Sequence, residues 1–293
     1  MFHRSNSVPL GCVVVPAQCA ALGTLLAVRG AGEGAGVPGG TDDVGFVRFV
    51  PVSDATPEIT FRSDVTVELV KSSASDADVL FAARVSTRGE QSLDDVDGDA
   101  SRSSGLINYL MRDRHGSPFE HTSFTFFVRA PIFMWREHMR HRIASYNEES
   151  GRYRELEPVF YVPARERNLV QEGKPGAYVF VPGTEDQSAL VEEQVKASCR
   201  QAYAAYQAML DAGVAREVAR IVLPVTIFSS AYVTMNARAL MNFLSLRTKR
   251  EGSHFPSFPQ REIEMVAEKY EVEFERLMPL TYAAFQANGR VAP

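Results

Sequence analysis

Apolar residues recur along this chain with two different periods, and each change of period marks an element. Val65, Val67 and Leu69 alternate with other residues across 64–70, the period-two pattern of a half-buried strand. Phe124, Phe126 and Val128 repeat that pattern. Residues 76–86 are predicted to form a helix with Asp76 at its N-cap. Ser104 is predicted to cap a second helix, on which Leu106, Ile107, Leu110 and Met111 share one face. His115-Gly116-Ser117-Pro118-Phe119-Glu120-His121 is broken by Gly and Pro and reads as a loop. Pro131 suits the first turn of a helix running toward Arg140.

A polar, Pro-marked segment at 158–187 precedes a long helix over about 188–212. Val214–Leu223 predicts another helix, stopped by Pro224, and Tyr232–Met235 a short strand. Ala237–Thr248 and Gln260–Leu277 complete the helical segments. No internal repeat is visible. Strands and helices mix without strict βαβ alternation, which excludes a doubly wound sheet and favours an α+β class: mixed helices with a small antiparallel sheet.

The first 45 residues depart from this pattern. Residues 10–28 are uncharged and lie between Arg4 and Arg29, as in an export signal. Pro16, Gly11, Gly23 and Gln18 interrupt the run, and a spanning helix needs about 20 predominantly apolar residues. The Gly-rich stretch 30–45 reads as linker. The expected organisation is therefore a dispensable extension, 1–45, followed by a single domain, 46–293. That length suffices for a substantial core.

Charge and cysteine content narrow the function classes. A formal net charge of −5 over 293 residues argues against non-specific nucleic-acid binding, so any anion site must be a local concentration of arginine. Cys12, Cys19 and Cys199 form neither a disulfide framework nor a zinc spacing, which fits a reducing, cytoplasmic setting. Cys199 lies in a helical pattern and reads as a small core residue. His115, His121, His138, His141 and Glu120 could serve a metal-dependent hydrolase, but flanking arginines disfavour a divalent cation and no zinc signature is complete.

The chemistry concentrates in residues 140–152, Arg-His-Arg-Ile-Ala-Ser-Tyr-Asn-Glu-Glu-Ser-Gly-Arg. Such a run cannot be core, since unpaired buried charge is too costly. It is also too varied for a plain solvated face: guanidinium forks suit phosphate, while Ser, Asn and Glu suit the edges of a sugar or base. Arg140 and Arg142 flank His141, so three potential cations crowd one turn. At ~5 Å and an effective dielectric of ~20, two like charges repel by about 3 kcal/mol, a cost an anion would offset. No Ser-His-Asp arrangement accompanies Ser150, which argues against a nucleophile.

This segment closely resembles the signature of the flavin-dependent thymidylate synthases: Arg-His-Arg, then Ser, Asn-Glu, Ser and Arg at fixed spacing, with every position filled. Ala215–Pro224 and Asn236–Arg247 resemble further motifs of that family, and the likeness spans about residues 60–285. The resemblance implies the thymidylate synthase complementing fold, a homotetramer with shared active sites, and reductive methylation of dUMP to dTMP. It implies FAD as cofactor, NADPH as reductant and 5,10-methylenetetrahydrofolate as carbon donor, with no metal, nucleic-acid or membrane partner. It places Ser117, Arg140, His141, Arg142, Glu148, Asn236, Arg238 and Asn242 at the flavin, with His115 nearby. Glu137, His138, Met139, Arg140, Glu148, Glu149, Ser150, Gly151, Arg152, Arg220 and Arg247 fall to the substrate, Arg247 at the uracil ring as the catalytic group. Relatives often carry Gln at the position of Glu137. A carboxylate repels phosphate, so Glu137 is expected to act through its backbone or to pair with an arginine.

Overall fold

A computed structural model describes residues 58–89, 100–174 and 177–293. The extension 1–45, Cys12, Cys19 and the expected domain start near Phe46 lie outside the described residues.

The centre is a four-stranded antiparallel sheet in the order β2-β3-β8-β4, formed by β2 (Thr66–Ser73), β3 (Ser123–Pro131), β8 (Phe228–Met235) and β4 (Ser145–Glu148). Alternation decides its faces. Phe124, Phe126, Val128 and Ala130 on β3, with Ala231, Val233 and Met235 on β8, are buried, while Tyr232 faces outward. Phe124 pairs with Met235 and Phe126 with Val233, so the two inward rows lie side by side. That face packs into one large core with α1 (Asp76–Arg88), α2 (Ala100–Arg112), α6 (Ala237–Arg247), α7 (Arg261–Leu277) and α8 (Pro279–Ala287). A second core forms where α4 (Glu185–Asp211) brings Cys199, Tyr203 and Tyr206 against Leu156, Phe160, Ala219 and Ile227. Phe160 belongs to β5 (Val159–Tyr161), which pairs in parallel with β1 (Thr60–Arg62). β6 (Val170–Lys174) and β7 (Ala177–Val181) form a hairpin.

The α+β class and the small antiparallel sheet agree with the sequence reading, and several boundaries change. Ser75, not Asp76, caps α1; the Asp76 carboxylate instead accepts the Leu280 and Thr281 amides (both 2.9 Å) and so ties α1 to α8. α2 begins by Ala100, which puts Ser104 inside it. The loop 115–121 tightens into a 3-10 turn at Ser117–His121. Pro131 caps α3 (Ile132–His138) rather than entering its first turn, and the helix stops before Arg140. The expected helix 214–223 shrinks to α5 (Arg216–Ala219) and a 3-10 turn, Arg220–Val222. Its apolar spacing does not mark a buried face: Val218, Ile221 and Val222 are exposed. β8 begins four residues earlier than expected, at Phe228. Cys199 is buried, with its sulfur 3.3 Å from the Thr226 hydroxyl, as expected of a core cysteine.

Candidate functional site

The signature leaves α3, crosses a turn at Met139–Arg140, and enters β4 at the sheet edge, where Tyr146 faces Val233 and Glu148 faces Ala231. α6 runs back beneath it and ends at Arg247. There the Arg247 Nη1 donates to Glu137 Oε2 at 2.7 Å, and its Nε donates to His141 Nε2 at 3.0 Å. Glu137 thus pairs with an arginine, one of the two roles expected of it. His141 is not a third cation. Burial first, and the adjacent Arg247 charge second, lower its pKa to about 4, so the ring is neutral and accepts the Arg247 hydrogen bond. The guanidinium groups of Arg140 and Arg142, both exposed residues, make no hydrogen bond or ion pair with the described residues. Their charge remains available to a ligand.

His138, expected at the substrate, sits elsewhere. Its side chain is 0% exposed, with Nδ1 3.2 Å from the Tyr146 hydroxyl and Nε2 3.0 Å from that of Tyr270. Burial foremost, then His141 once it is protonated at low pH, and the Arg247 charge lower its pKa to about 3. It supports the turn from the core and offers no ring atom to a ligand. Met139, next in the chain, is exposed.

The second half of the signature lines a cavity of about 300 Å³ with Ile132, Glu148, Glu149, Ser150, Gly151, Leu156, Arg220 and Ser229. β8 fixes the two carboxylates: Ser229 Oγ donates to Glu148 at 2.5 Å, and the Ser230 amide and hydroxyl donate to Glu149 at 2.8 and 2.9 Å. Arg220 enters from the 3-10 turn after α5, and its guanidinium makes no hydrogen bond or ion pair with the described residues. Gly151 permits that approach, because a Cβ there would lie 3.3 Å from Arg220 Cδ. Arg152 is held apart from this cavity by its 2.5 Å contact with Glu217.

A third group forms where α6 begins. Asn236 caps the helix through the Ala239 amide (2.8 Å), and Asn242 donates to the Arg238 carbonyl at 3.2 Å. Arg238 reaches Glu120 at 2.5 Å and the Pro293 carbonyl at 2.6 Å. It passes so close to Gly116 that a Cβ there would lie 2.5 Å from its Nε, which brings it beside the Ser117 turn. His115 stacks on Tyr109 (centroids 5.6 Å apart).

The expected residues therefore gather in three places: Glu137, His141 and Arg247; Glu148 to Gly151 with Arg220; and Ser117 with Asn236, Arg238 and Asn242. Sequence reasoning gives no role to Ser229, Ser230 or Tyr146, since a strand serine or tyrosine carries no spacing signal until its neighbour is known, and Glu120, read only as a candidate metal ligand, pairs with Arg238 instead. Among the described residues no three His, Cys, Asp or Glu side chains converge as metal ligands, and no helix is long and apolar enough to cross a membrane. A cavity of about 590 Å³ beside Tyr161, Arg167 and Phe180 is lined by none of the expected residues.

Comparison with known proteins gives this geometry a context. The family model for thymidylate synthase complementing protein matches residues 68–280. A flavin-dependent thymidylate synthase from Streptomyces avermitilis is 70% identical over 244 residues, which cover 83% of this chain and 98% of that protein. One from Thermotoga neapolitana is 42% identical over 219 residues, 75% of this chain and 89% of the relative. Among solved structures, the UMP/dUMP methylase PolB from Streptomyces cacaoi, bound with 5-Br dUMP, is 57% identical with a TM-score of 0.76. That match covers 80% of this chain and all of the other.

Proposed function

The chain belongs to the thymidylate synthase complementing protein family, and from that premise we propose that it methylates dUMP to dTMP. In this reading FAD is the resident cofactor, NADPH reduces it, and 5,10-methylenetetrahydrofolate donates the carbon. The observation that carries the reading is the convergence on one cavity of Ser150, Gly151 and an Arg220 guanidinium that has no partner among the described residues. A hydroxyl, backbone amides and a free guanidinium are the donor set of a phosphate site. Arg220 and Ser150 would bind the nucleotide phosphate there, with Arg152 at the margin, while Glu148 and Glu149 present fixed acceptors to sugar hydroxyls.

The residues assigned to the flavin fit an anionic dinucleotide. Arg140 and Arg142 carry exposed charge with no carboxylate partner among the described residues, and Arg238, Asn236, Asn242 and Ser117 lie around a second point. When bound, the reduced flavin supplies the hydride that turns the transferred carbon into a methyl group. The protein's share is to polarise the uracil. Cys199 is buried in the second core and, among the described residues, no other cysteine could add to the ring. Arg247 cannot act as a base, because its guanidinium stays protonated. Held by Glu137 and His141, it is preorganised to stabilise negative charge as it develops on the N3/O2 edge of uracil. Exposed Ile143, Leu246 and Ile221 around these segments suit burial between subunits, which supports reading the protein as a homotetramer whose active sites draw on several chains. The cytoplasmic location belongs to the same reading and rests on the family resemblance and the cysteine pattern alone.

The test is the absorbance spectrum of the purified protein before and after NADPH and dUMP, followed by thymidylate formation with methylenetetrahydrofolate. A colourless protein that takes up no added FAD would overturn the reading. Uridine monophosphate belongs in the same assay, because the relative PolB is a UMP/dUMP methylase.

A further inference from the structure

The signature is silent about the position between its serine and its Asn-Glu pair, which is Tyr146 here. Tyr146 lies on β4 opposite the buried Val233, so its ring reaches inward beneath the turn that carries Arg140. Its hydroxyl lies 3.0 Å from the His138 carbonyl, 2.9 Å from the His141 carbonyl and 3.2 Å from His138 Nδ1. Those carbonyls bracket Met139 and Arg140.

We propose that Tyr146 is a positioning residue, the end of a directed chain of hydrogen bonds that pins the Arg140–His141 turn from below. Each group has limited capacity, and this fixes the direction. A neutral imidazole has one N–H and one acceptor nitrogen, and a phenol has one O–H. The turn carbonyls can only accept, so the Tyr146 O–H is committed to them. Its oxygen must then accept from His138 Nδ1–H. His138 Nε2 in turn accepts the Tyr270 O–H, at 3.0 Å. Every donor is used once, and His138 is fixed as the Nδ1–H tautomer. Burial keeps the ring neutral, with a pKa near 3, and holds both phenols protonated: Tyr146 is pushed up to about 12, and Tyr270 is raised as well.

The same turn sets His141, whose ring receives Arg247 on one side and packs against Phe243 (centroids 4.6 Å) on the other. His138 packs against the same Phe243 ring at 4.7 Å. Releasing the Tyr146 hydroxyl therefore loosens Arg140 and the seat of Arg247 together, though Tyr146 itself touches neither guanidinium. The consequence for catalysis rests on the proposed flavin-dependent activity; the tautomer does not.

The experiment uses the full chain and Tyr146→Phe, which keeps the ring and its packing, with Tyr270→Phe as a second variant. Long-range proton–nitrogen spectra of the histidine-labelled protein without ligands at neutral pH, with His138 assigned by the signals lost in His138→Gln, should show it as a neutral Nδ1–H ring whose signals shift in both variants; His141, which accepts from Arg247 at Nε2, is a second ring in that tautomer. An Nε2–H tautomer, or a protonated ring, at His138 would overturn the inference. Flavin titration should give a Kd about tenfold higher for Tyr146→Phe, the scale of one lost buried hydrogen bond. kcat should fall while KM for dUMP rises less than threefold. Unchanged flavin affinity and kcat in a variant that melts as the parent does would also overturn it. A parent protein that binds no flavin would instead count against the proposed function and leave the spectra as the test.

Discussion

Gly151→Ala tests the phosphate cavity with a single carbon. The new Cβ would lie 3.1 Å from Leu156 Cδ1, 3.2 Å from Leu156 Cγ and 3.3 Å from Arg220 Cδ, all tighter than ordinary contact. Gly151 does not have positive φ, so the backbone tolerates alanine and the whole effect is steric. Leu156 is 8% exposed and locked in the second core, whereas Arg220 borders open cavity and makes no hydrogen bond or ion pair with the described residues. Arg220 is therefore the group that yields. Overpacking of this kind costs about 1–3 kcal/mol when nothing can move, and the yielding side chain should keep the stability loss near or below ~1 kcal/mol. Binding should suffer more. A displaced guanidinium loses part of a charge-assisted contact worth about 1.5–3 kcal/mol, so KM for dUMP should rise roughly tenfold at nearly constant Tm. Arg220→Ala sets the upper bound, at roughly 10- to 150-fold. Steady-state kinetics beside a melting curve decide the matter. A lowered Tm with unchanged KM would mean that Leu156 gave way, and an unchanged KM in Arg220→Ala would mean that Arg220 does not hold the phosphate.

Arg142→Ala should weaken flavin binding by about 1.5–3 kcal/mol without unfolding the chain, read by flavin fluorescence; full retention would remove this residue from the cofactor site. Arg247→Lys keeps the charge but loses the planar fork that reaches Glu137 and His141 together, so methyl transfer should fall by roughly 10²–10³ while flavin content stays normal; near-normal thymidylate formation would refute its role. His138 and His141 have folded pKa values of about 3 and about 4, below the unfolded value near 6.5, so the unfolded chain binds more protons between those limits. Stability should accordingly be full above pH 6.5 and decline as pH falls toward 4; a urea midpoint that stays flat across that range would exclude the burial argument. Removing residues 1–45 should leave folding and flavin binding intact, since the family match begins at residue 68; loss of soluble protein would refute this.

The sequence was most legible where one residue's role depends on its immediate neighbours. The alternation of Phe124, Phe126 and Val128 located a core strand, and the amphipathic run after Asn236 located α6 to within one residue of its C-terminus. Legibility failed where the partner is remote. Just after its first residue, Phe228, β8 carries Ser229 and Ser230, which break the apolar alternation because Glu148 and Glu149 satisfy them. β4 was invisible because a charged edge strand has no apolar period. His138 looked like a ligand from its place beside the signature; only the approach of Tyr270 from α7, 132 positions away, shows it to be core. The same remoteness hid the link between Glu137 and Arg247, which lie 110 positions apart.

β4 is an outermost strand of the main sheet, so its outer edge presents unpaired backbone groups, a template on which another chain could add a strand. The strand is only four residues long, ends in Glu148 and is flanked by Arg140, Arg142 and Glu149. Short length and dense charge are the means by which proteins keep such edges from annealing with one another. The residues that select a nucleotide thus also protect the fold from aggregation. Variants that strip several of these charges at once, such as Glu148→Ala combined with Glu149→Ala, will lose colloidal stability along with ligand affinity. Solubility is therefore a control that every substitution in this segment requires.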